Sequence, residues 1–291
     1  MNIYEKDNTV IIENVADFNP KHIFECGQCF RWDLEEDGSY TGVAFERVIN
    51  VSKKGDTVYL KNTNIEDFNN IWFDYFDLQT DYTKIKDELK VMDEYLNKAT
   101  EFGEGIRILR QESWEMIISF IISSNNRIPM IKRAIDNLSK KYGKYIGEYN
   151  GKEYYSFPTA KALSEASVED IRACQTGFRD KYIKSTSDYV VDHNENVVEY
   201  RNLETQECIK KLCQFNGVGP KVADCIALFG MQKQDTFPVD VWVKRVMQEF
   251  YVSEELSLPK IRTFAVDKFK DLSGYAQQYL FYYARELGIG K

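Results

Sequence analysis

The spacing of hydrophobic residues changes along the chain and divides it into two parts. Over residues 1–61, apolar and polar residues alternate, and turn-forming pairs such as Lys54-Gly55 interrupt them. This pattern is typical of antiparallel strands, which we predict at residues 9–15, 29–34, 40–51 and 57–61. Beyond this part, apolar residues recur about every three to four positions, which predicts helices.

The predicted helices follow one another with neither a repeat nor a low-complexity linker between them. They cover residues 83–99, 113–124, 129–142, 168–174, 181–191, 205–215, 220–229, 239–250, 259–272 and 275–287. We therefore expect an α+β fold. An N-terminal antiparallel β domain with flanking helices, residues 1–100, would precede an all-helical body, residues 101–291.

A glycine turn joins two of these helices at residues 216–219, with the sequence Asn-Gly-Val-Gly. Pro220 suits the first position of the second helix, where a missing N–H has no cost. Gly217 and Gly219 permit positive φ angles and bring main-chain N–H groups close to a partner, at a helix N-terminus that favours an anion. This is a helix-hairpin-helix signature, and it predicts a site for a nucleic-acid phosphate.

Two charged residues near this turn are candidates for chemistry. Lys221 lies in the first turn of the second helix, where the helix dipole disfavours a positive charge, so we expect a lowered pKa and a nucleophilic amine. Asp240 begins another helix, where its carboxylate would either cap that helix or face a reacting sugar. A solvated surface lysine and an ordinary capping aspartate are the alternatives.

The run GVGPKVADCIALF, followed by FPVDVWVKRV, resembles the helix-hairpin-helix Gly/Pro-Asp glycosylases, and among them the 8-oxoguanine DNA glycosylase family. Further resemblance covers nearly the whole chain and lies in CGQCFRW, IISSNNRIPMIKR, TGFRDKY and GYAQQYLFYYAREL. It implies a bifunctional glycosylase and AP lyase that flips 8-oxoguanine out of duplex DNA. Lys221 would attack C1′ and form a Schiff base, while Asp240 would stabilise the positive charge on the sugar.

The resemblance also implies a pocket for the flipped base. Gly27 would accept, through its carbonyl, the N7–H that distinguishes 8-oxoguanine from guanine. Gln277 would bond the Watson–Crick edge of the base, Phe281 would stack on one face, and Cys225 would lie on the other face. A simple turn glycine and ordinary core residues are the alternatives for positions 27, 225 and 281.

Residues outside the pocket match the family's DNA contacts. Asn125 would enter the gap beside the orphaned cytosine, Arg179 would contact that cytosine, and Phe178 would offer a stacking face. Ordinary loop residues are the alternative. The expected DNA contacts at the hairpin are Gly217, Gly219 and Val222.

Two positions depart from the family pattern. Met130 stands where members with a strict cytosine preference have a second arginine, so we expect weaker discrimination of the opposite base. Trp242 stands where a histidine that contacts a phosphate is more usual, which puts that contact in doubt.

Composition is that of a globular chain, with 43% hydrophobic and 14% aromatic residues among 291. The formal charge of −8 is unusual for a DNA-binding protein. However, residues 210–245 contain six Lys/Arg against three Asp/Glu, a local charge of +3. We therefore expect a basic binding face, with the acidic remainder weakening nonspecific DNA affinity.

The six cysteines have the spacing of neither a disulfide framework nor a zinc site, and none follows Cys225, where the iron–sulfur branches of the superfamily have four. We expect no metal and no cofactor. Residues 1–10 lack a signal peptide's apolar segment, and no apolar run reaches the roughly 18–20 residues of a membrane span. The expectation is a cytoplasmic bacterial monomer whose partner is double-stranded DNA containing 8-oxoguanine.

Two other functions remain open from the sequence. A monofunctional alkyl-base glycosylase on the same scaffold would use the aspartate and water, and it would need no Lys221. A noncatalytic helix-hairpin-helix module would need the glycine turn, but not Asp240, Gln277 or Phe281.

Overall fold

An antiparallel sheet forms the N-terminal part of the protein. The structure is a computed structural model that describes residues 1–252 and 254–289. The sheet has six strands in the order β1-β2-β6-β5-β4-β3. The strands are β1 Asn2–Lys6, β2 Thr9–Glu13, β3 Trp32–Leu34, β4 Tyr40–Ala44, β5 Arg47–Lys54 and β6 Thr57–Lys61.

Two features of this sheet differ from the predicted strands. The prediction of one strand over residues 40–51 is wrong, because Phe45 and Glu46 adopt φ angles of 51° and 56° and reverse the chain between β4 and β5. The alternation pattern also misses β1, which pairs with β2. Only Ile3 of β1 is partly buried, so this edge strand shows no apolar alternation.

Helices form most of the chain after the sheet. The α-helices of six or more residues are α1 Pro20–Glu25, α2 Tyr82–Lys90, α3 Glu94–Phe102, α4 Ser113–Ser123, α5 Ile128–Tyr142, α6 Ala160–Glu165, α7 Asp180–Asp192, α8 Thr205–Leu212, α9 Pro220–Gly230, α10 Val241–Phe250, α11 Leu258–Phe269 and α12 Ser273–Leu287. The other helical segments are Ile65–Asp67, Phe68–Trp72, Phe73–Tyr75, Val168–Ile171, Arg172–Thr176, Gly177–Arg179, Val197–Asn202 and Lys270–Leu272. Across the described ranges, no helix combines the length and the apolar character that crossing a membrane requires.

The helical part also differs from the predicted elements, which miss α6 and the segment Val197–Asn202. The single helix predicted over residues 83–99 is two helices, because the Asp93 carboxylate accepts the N–H groups of Tyr95 and Leu96 and starts α3. A hairpin of β7 Tyr145–Tyr149 and β8 Lys152–Tyr155 also interrupts the helices. The α+β class, a sheet domain followed by a helical helix-hairpin-helix body, is confirmed.

Two hydrophobic cores stabilise the sheet and the helical body. The sheet core includes the fully buried Ile49 and Trp72. The helical core includes Cys26 and Phe30, although both belong to the segment between α1 and β3. This segment therefore reaches from the sheet part into the helical body, and it places Gly27 against the side chain of Phe281 on α12. The predicted boundary at residue 100 stays a prediction.

Candidate active site

The turn between α8 and α9 uses its two glycines differently. Gly217 has a φ of +83°, and a Cβ atom there would lie 2.6 Å from the Tyr182 ring. Gly219 is the N-cap of α9, with open space where a Cβ would stand, and Pro220 follows it as predicted. The Val222 side chain is buried, so only its main-chain N–H can serve an anion at this helix N-terminus.

Gly217→Ala is expected to destabilise the protein by about 1–3 kcal/mol, because alanine would be strained at a positive φ and would collide with Tyr182. Gly219→Ala is the matched control, since its φ is −91° and its Cβ would meet no atom. Urea unfolding of both variants measures the difference. Equal losses of stability in the two variants would contradict this account of the turn.

Lys221 and Asp240 both line a small cavity, of about 80 Å³. Lys221 is the second residue of α9, and the Cys225 side chain lines the same cavity one helical turn further on. Asp240 is the N-cap of α10, and its Oδ1 accepts the Val243 N–H at 2.8 Å. The two roles considered for Asp240 are therefore compatible: it caps a helix and borders the cavity.

The expected lowering of the Lys221 pKa is wrong for the protein without DNA. Cys225 in its thiolate form raises this pKa, burial opposes the rise, and the Asp240 carboxylate adds to it. Burial in turn raises the pKa of the Cys225 thiol. Lys221 therefore carries its proton at neutral pH, so another group must accept that proton before the amine can attack carbon.

The same cavity collects the residues matched to base binding. Gly27, Cys225, Gln277 and Phe281 line it together. Gly27 has a φ of +85°, and a Cβ there would be 3.2 Å from the Phe281 ring. Gln277 is 5% exposed, and its Oε1 has no hydrogen-bond partner among the described residues. A buried oxygen without a partner costs free energy that a ligand's N–H would recover.

Further residues of this cavity were not indicated by the sequence. They are Cys26, Phe120, Phe229, Pro238, Val243 and Gln278. The glutamine pair in GYAQQYLF was the one signal that pointed toward Gln278. Trp242 meets the Phe281 ring edge to face, with 4.9 Å between ring centroids, and so supports the aromatic side of the cavity. In the described part of the chain, no three metal-ligating side chains form a group.

The residues matched to the orphaned base lie on the loop between α4 and α5 and on the adjoining short helix Gly177–Arg179. Asn125 is exposed, with a φ of 50°, and Phe178 is 56% exposed. Arg179 is instead buried, and its guanidinium donates to the carbonyls of Ser124, Asn125 and Thr176. In the protein without DNA, Arg179 thus holds the main chain that presents Asn125.

The fold and the hairpin site define a base excision DNA repair protein of the helix-hairpin-helix class. The family model described as "HhH-GPD superfamily base excision DNA repair protein" matches residues 118–270. The model described as "8-oxoguanine DNA glycosylase, N-terminal domain" matches residues 10–117. The solved 8-oxoguanine glycosylase/lyase of Clostridium acetobutylicum, in complex with DNA, is 53% identical, with a TM-score of 0.96 over 99% of both chains. The chain therefore belongs to the 8-oxoguanine DNA glycosylase family, as its motifs predicted.

More distant relatives agree with this assignment. The N-glycosylase/DNA lyase OGG1 of Arabidopsis thaliana is 29% identical over 274 residues, which are 89% of this chain and 75% of the relative. The N-glycosylase/DNA lyase of Saccharomyces cerevisiae is 33% identical over 219 residues, 64% of this chain and 58% of the relative. The 3-methyladenine DNA glycosylase of Archaeoglobus fulgidus, 21% identical with a TM-score of 0.76, shares the fold.

Proposed function

We propose that this protein excises 8-oxoguanine from duplex DNA through Lys221 and then cuts the abasic strand. The reaction class is that of its family, a DNA glycosylase that is also an AP lyase. The observation that carries the role of Lys221 is its place in one cavity with Asp240 and Gln277. An alkyl-base glycosylase that uses water would have no need for an amine at this point.

The chemistry begins with the transfer of a proton from Lys221. Asp240 borders the same cavity and is the group proposed to accept it. The free amine then forms a bond to C1′ while the bond from C1′ to the base breaks, and the leaving base takes up the proton that Asp240 accepted, which restores the Asp240 carboxylate. Opening of the sugar ring gives the Schiff base, and loss of a C2′ proton expels the 3′ phosphate. The Asp240 carboxylate also stabilises the positive charge that develops on the sugar.

Base recognition is proposed for the other side of the cavity. The Gly27 carbonyl accepts the N7–H of 8-oxoguanine, and Gln277 pairs with the Watson–Crick edge. Phe281 and Cys225 lie against the two faces of the base. The unpaired Oε1 of Gln277 supports this arrangement, because an N–H donor on the base would satisfy it.

Binding of the DNA backbone and of the orphaned base is proposed for the surface around the hairpin. The main-chain N–H groups of Gly217, Gly219 and Val222 would bind a phosphate at the start of α9. Asn125 and Arg179 would contact the orphaned base, and this requires Arg179 to exchange some of its bonds to main-chain carbonyls for bonds to DNA. Phe178, which is exposed beside Arg179, would stack on the neighbouring base pair.

A cleavage assay with separate readouts for base and strand tests this function. Duplexes with one 8-oxoguanine are incubated with the protein, the free base is measured by mass spectrometry, and nicks are measured before and after hot alkali. We expect base release together with nicks that do not need alkali. Base release with nicks only after alkali would indicate a monofunctional glycosylase, whereas binding without base release would indicate a noncatalytic module.

Met130→Arg is expected to increase the preference for cytosine opposite the lesion by about tenfold, the size of one added charged hydrogen bond. Met130 is 38% exposed in the first turn of α5, so an arginine there would not disturb the core. The measurement is the rate of 8-oxoguanine excision opposite each of the four bases. Arg133→Met, at another exposed position of α5, is the control. An unchanged order of opposite bases in Met130→Arg would contradict this role.

A further inference from the structure

We infer that Gln278 and Cys26 are a pair of positioning residues that hold the Gly27 carbonyl against the base-binding side of α12. The inference rests on the proposed function, in which Gly27 reads the N7–H of 8-oxoguanine. It concerns two residues that do not belong to the set matched to base binding. Both line the cavity, one from the segment after α1 and one from α12.

A buried hydrogen bond connects these two elements. Gln278 Nε2 donates to the Cys26 Sγ at 3.2 Å, across a sequence separation of 252 residues. Cys26 is fully buried and Gln278 is 2% exposed, so water does not compete for this bond. Gly27 directly follows Cys26, and Gln277 directly precedes Gln278. The bond therefore sets the distance between the residue proposed to read N7–H and the residue proposed to read the Watson–Crick edge.

The Cys26 sulfur is suited to this role because it remains a neutral thiol. Burial raises its pKa to about 12, so it is not a thiolate at neutral pH. Its S–H donates to the Ile23 carbonyl at 3.2 Å, and its lone pairs accept N–H groups from Gln278 and from Gln28, the latter at 3.3 Å. The sulfur is thus fixed on the α1 side and on the α12 side at once.

Gln28 fixes the other side of Gly27. It is fully buried, its Nε2 donates to the Arg107 carbonyl at 2.8 Å, and its Oε1 accepts the Leu109 N–H at 2.8 Å. Its own carbonyl accepts from Gln111 Nε2 at 2.8 Å. The two neighbours of Gly27 are therefore held by hydrogen bonds. A main-chain carbonyl that recognises a base from a residue at positive φ needs such support to keep one orientation.

A second contact joins α12 to the last residue of α1, directly before this segment. Arg285 lies seven residues, or about two helical turns, after Gln278, on the same side of α12. Its guanidinium donates to the Glu25 carbonyl, next to Cys26 in the chain. Gln278 and Arg285 lie on either side of Phe281 along α12, and they bind the neighbouring residues Cys26 and Glu25. Phe281 is the residue proposed to stack on the base. This spacing makes α12 and the Gly27 segment one rigid wall of the cavity.

The test compares two reactions of the same protein. Excision of 8-oxoguanine needs the base to be read, whereas cleavage of a preformed abasic site needs Lys221 but no base. We expect Gln278→Ala and Cys26→Ala each to lower kcat/KM for excision roughly five- to tenfold relative to abasic-site cleavage, the effect of one neutral hydrogen bond. The double variant should lose no more than Cys26→Ala alone, because the bond from Gln278 is already absent in that variant.

Two further variants serve as controls. Cys26→Ser retains a donor and an acceptor and should keep at least half of the excision rate, a conservative rescue. Tyr279→Phe removes another fully buried polar group, one residue further along α12 and outside the cavity lining, and should leave the ratio of the two reactions unchanged.

Several results would overturn the inference. One is a loss of equal size in both reactions for Gln278→Ala, which leaves the ratio of excision to abasic-site cleavage unchanged. Another is additive losses in the double variant. Failure of the wild-type protein to release 8-oxoguanine would overturn the proposed function as well, and it is recognised before any variant is measured.

Discussion

Lys221→Gln is expected to lower strand cleavage at 8-oxoguanine by at least about a thousandfold, the order of effect seen when a covalent nucleophile is removed. The amide of glutamine is not nucleophilic and cannot form a Schiff base. Borohydride trapping measures the step directly, because it converts the Schiff base into a stable adduct of protein and DNA. The wild-type protein should give this adduct and the variant should give none.

The design of this experiment separates catalysis from charge. Lys98→Gln also removes one positive charge, from an exposed lysine of α3 that pairs with Glu94, and should trap DNA as the wild-type protein does. A duplex with each of the four bases opposite the lesion also reports on Met130, since similar yields would support relaxed opposite-base preference. Persistent trapping by Lys221→Gln would assign the nucleophile to another amine.

Asp240→Asn is expected to lower kcat by about a hundred- to a thousandfold, the usual effect of removing one preorganised electrostatic group. Asparagine cannot accept the Lys221 proton as a carboxylate does, and it carries no charge to stabilise the sugar cation. It is, however, as good an N-cap as aspartate, so the stability of α10 should be unchanged. Asp240→Ala would lose both roles and should also cost about 1 kcal/mol of unfolding free energy.

Cleavage rates and urea unfolding of the same samples distinguish these effects. Asp81 is an N-cap aspartate of α2 that accepts the Lys84 N–H at 3.1 Å, away from the cavity. Asp81→Asn should therefore change neither rate nor stability. If Asp240→Asn cleaved as fast as the wild-type protein, Asp240 would be a capping residue only, which is the alternative that the sequence left open.

Part of the fold followed from local patterns. Alternation located β2 and β6, and the helix-hairpin-helix turn was identified from its glycines and from Pro220. Both signals depend on residues close in the chain, so they can be recognised without knowledge of the tertiary structure. The edge strand β1 was missed because only Ile3 of it is partly buried, so neither face carries a row of apolar residues. The break between α2 and α3 was not predicted because it depends on a single side chain, that of Asp93, which caps α3.

The candidate site shows the same division between local and distant contacts. Lys221 and Asp240 were singled out by their positions at helix N-termini, which the sequence displays. The direction of the Lys221 pKa shift was not predicted correctly, because it depends on the balance between burial and two nearby groups, Cys225 and Asp240. The inward orientation of Arg179 likewise depends on carbonyls of a loop more than fifty residues away.

The sequence by itself determined the family, the class of fold and the residues proposed to carry the chemistry. These properties lie in short motifs, in which turn geometry, helix capping and residue type act within a few positions. The tertiary structure decided how those motifs meet: it brought Gly27 against Phe281 on α12, joined Cys26 to Gln278 and left the Gln277 oxygen, inside one cavity, without a partner in the described part of the chain. Such contacts join residues about 250 positions apart, and packing of the whole chain, rather than any local preference, brings them together.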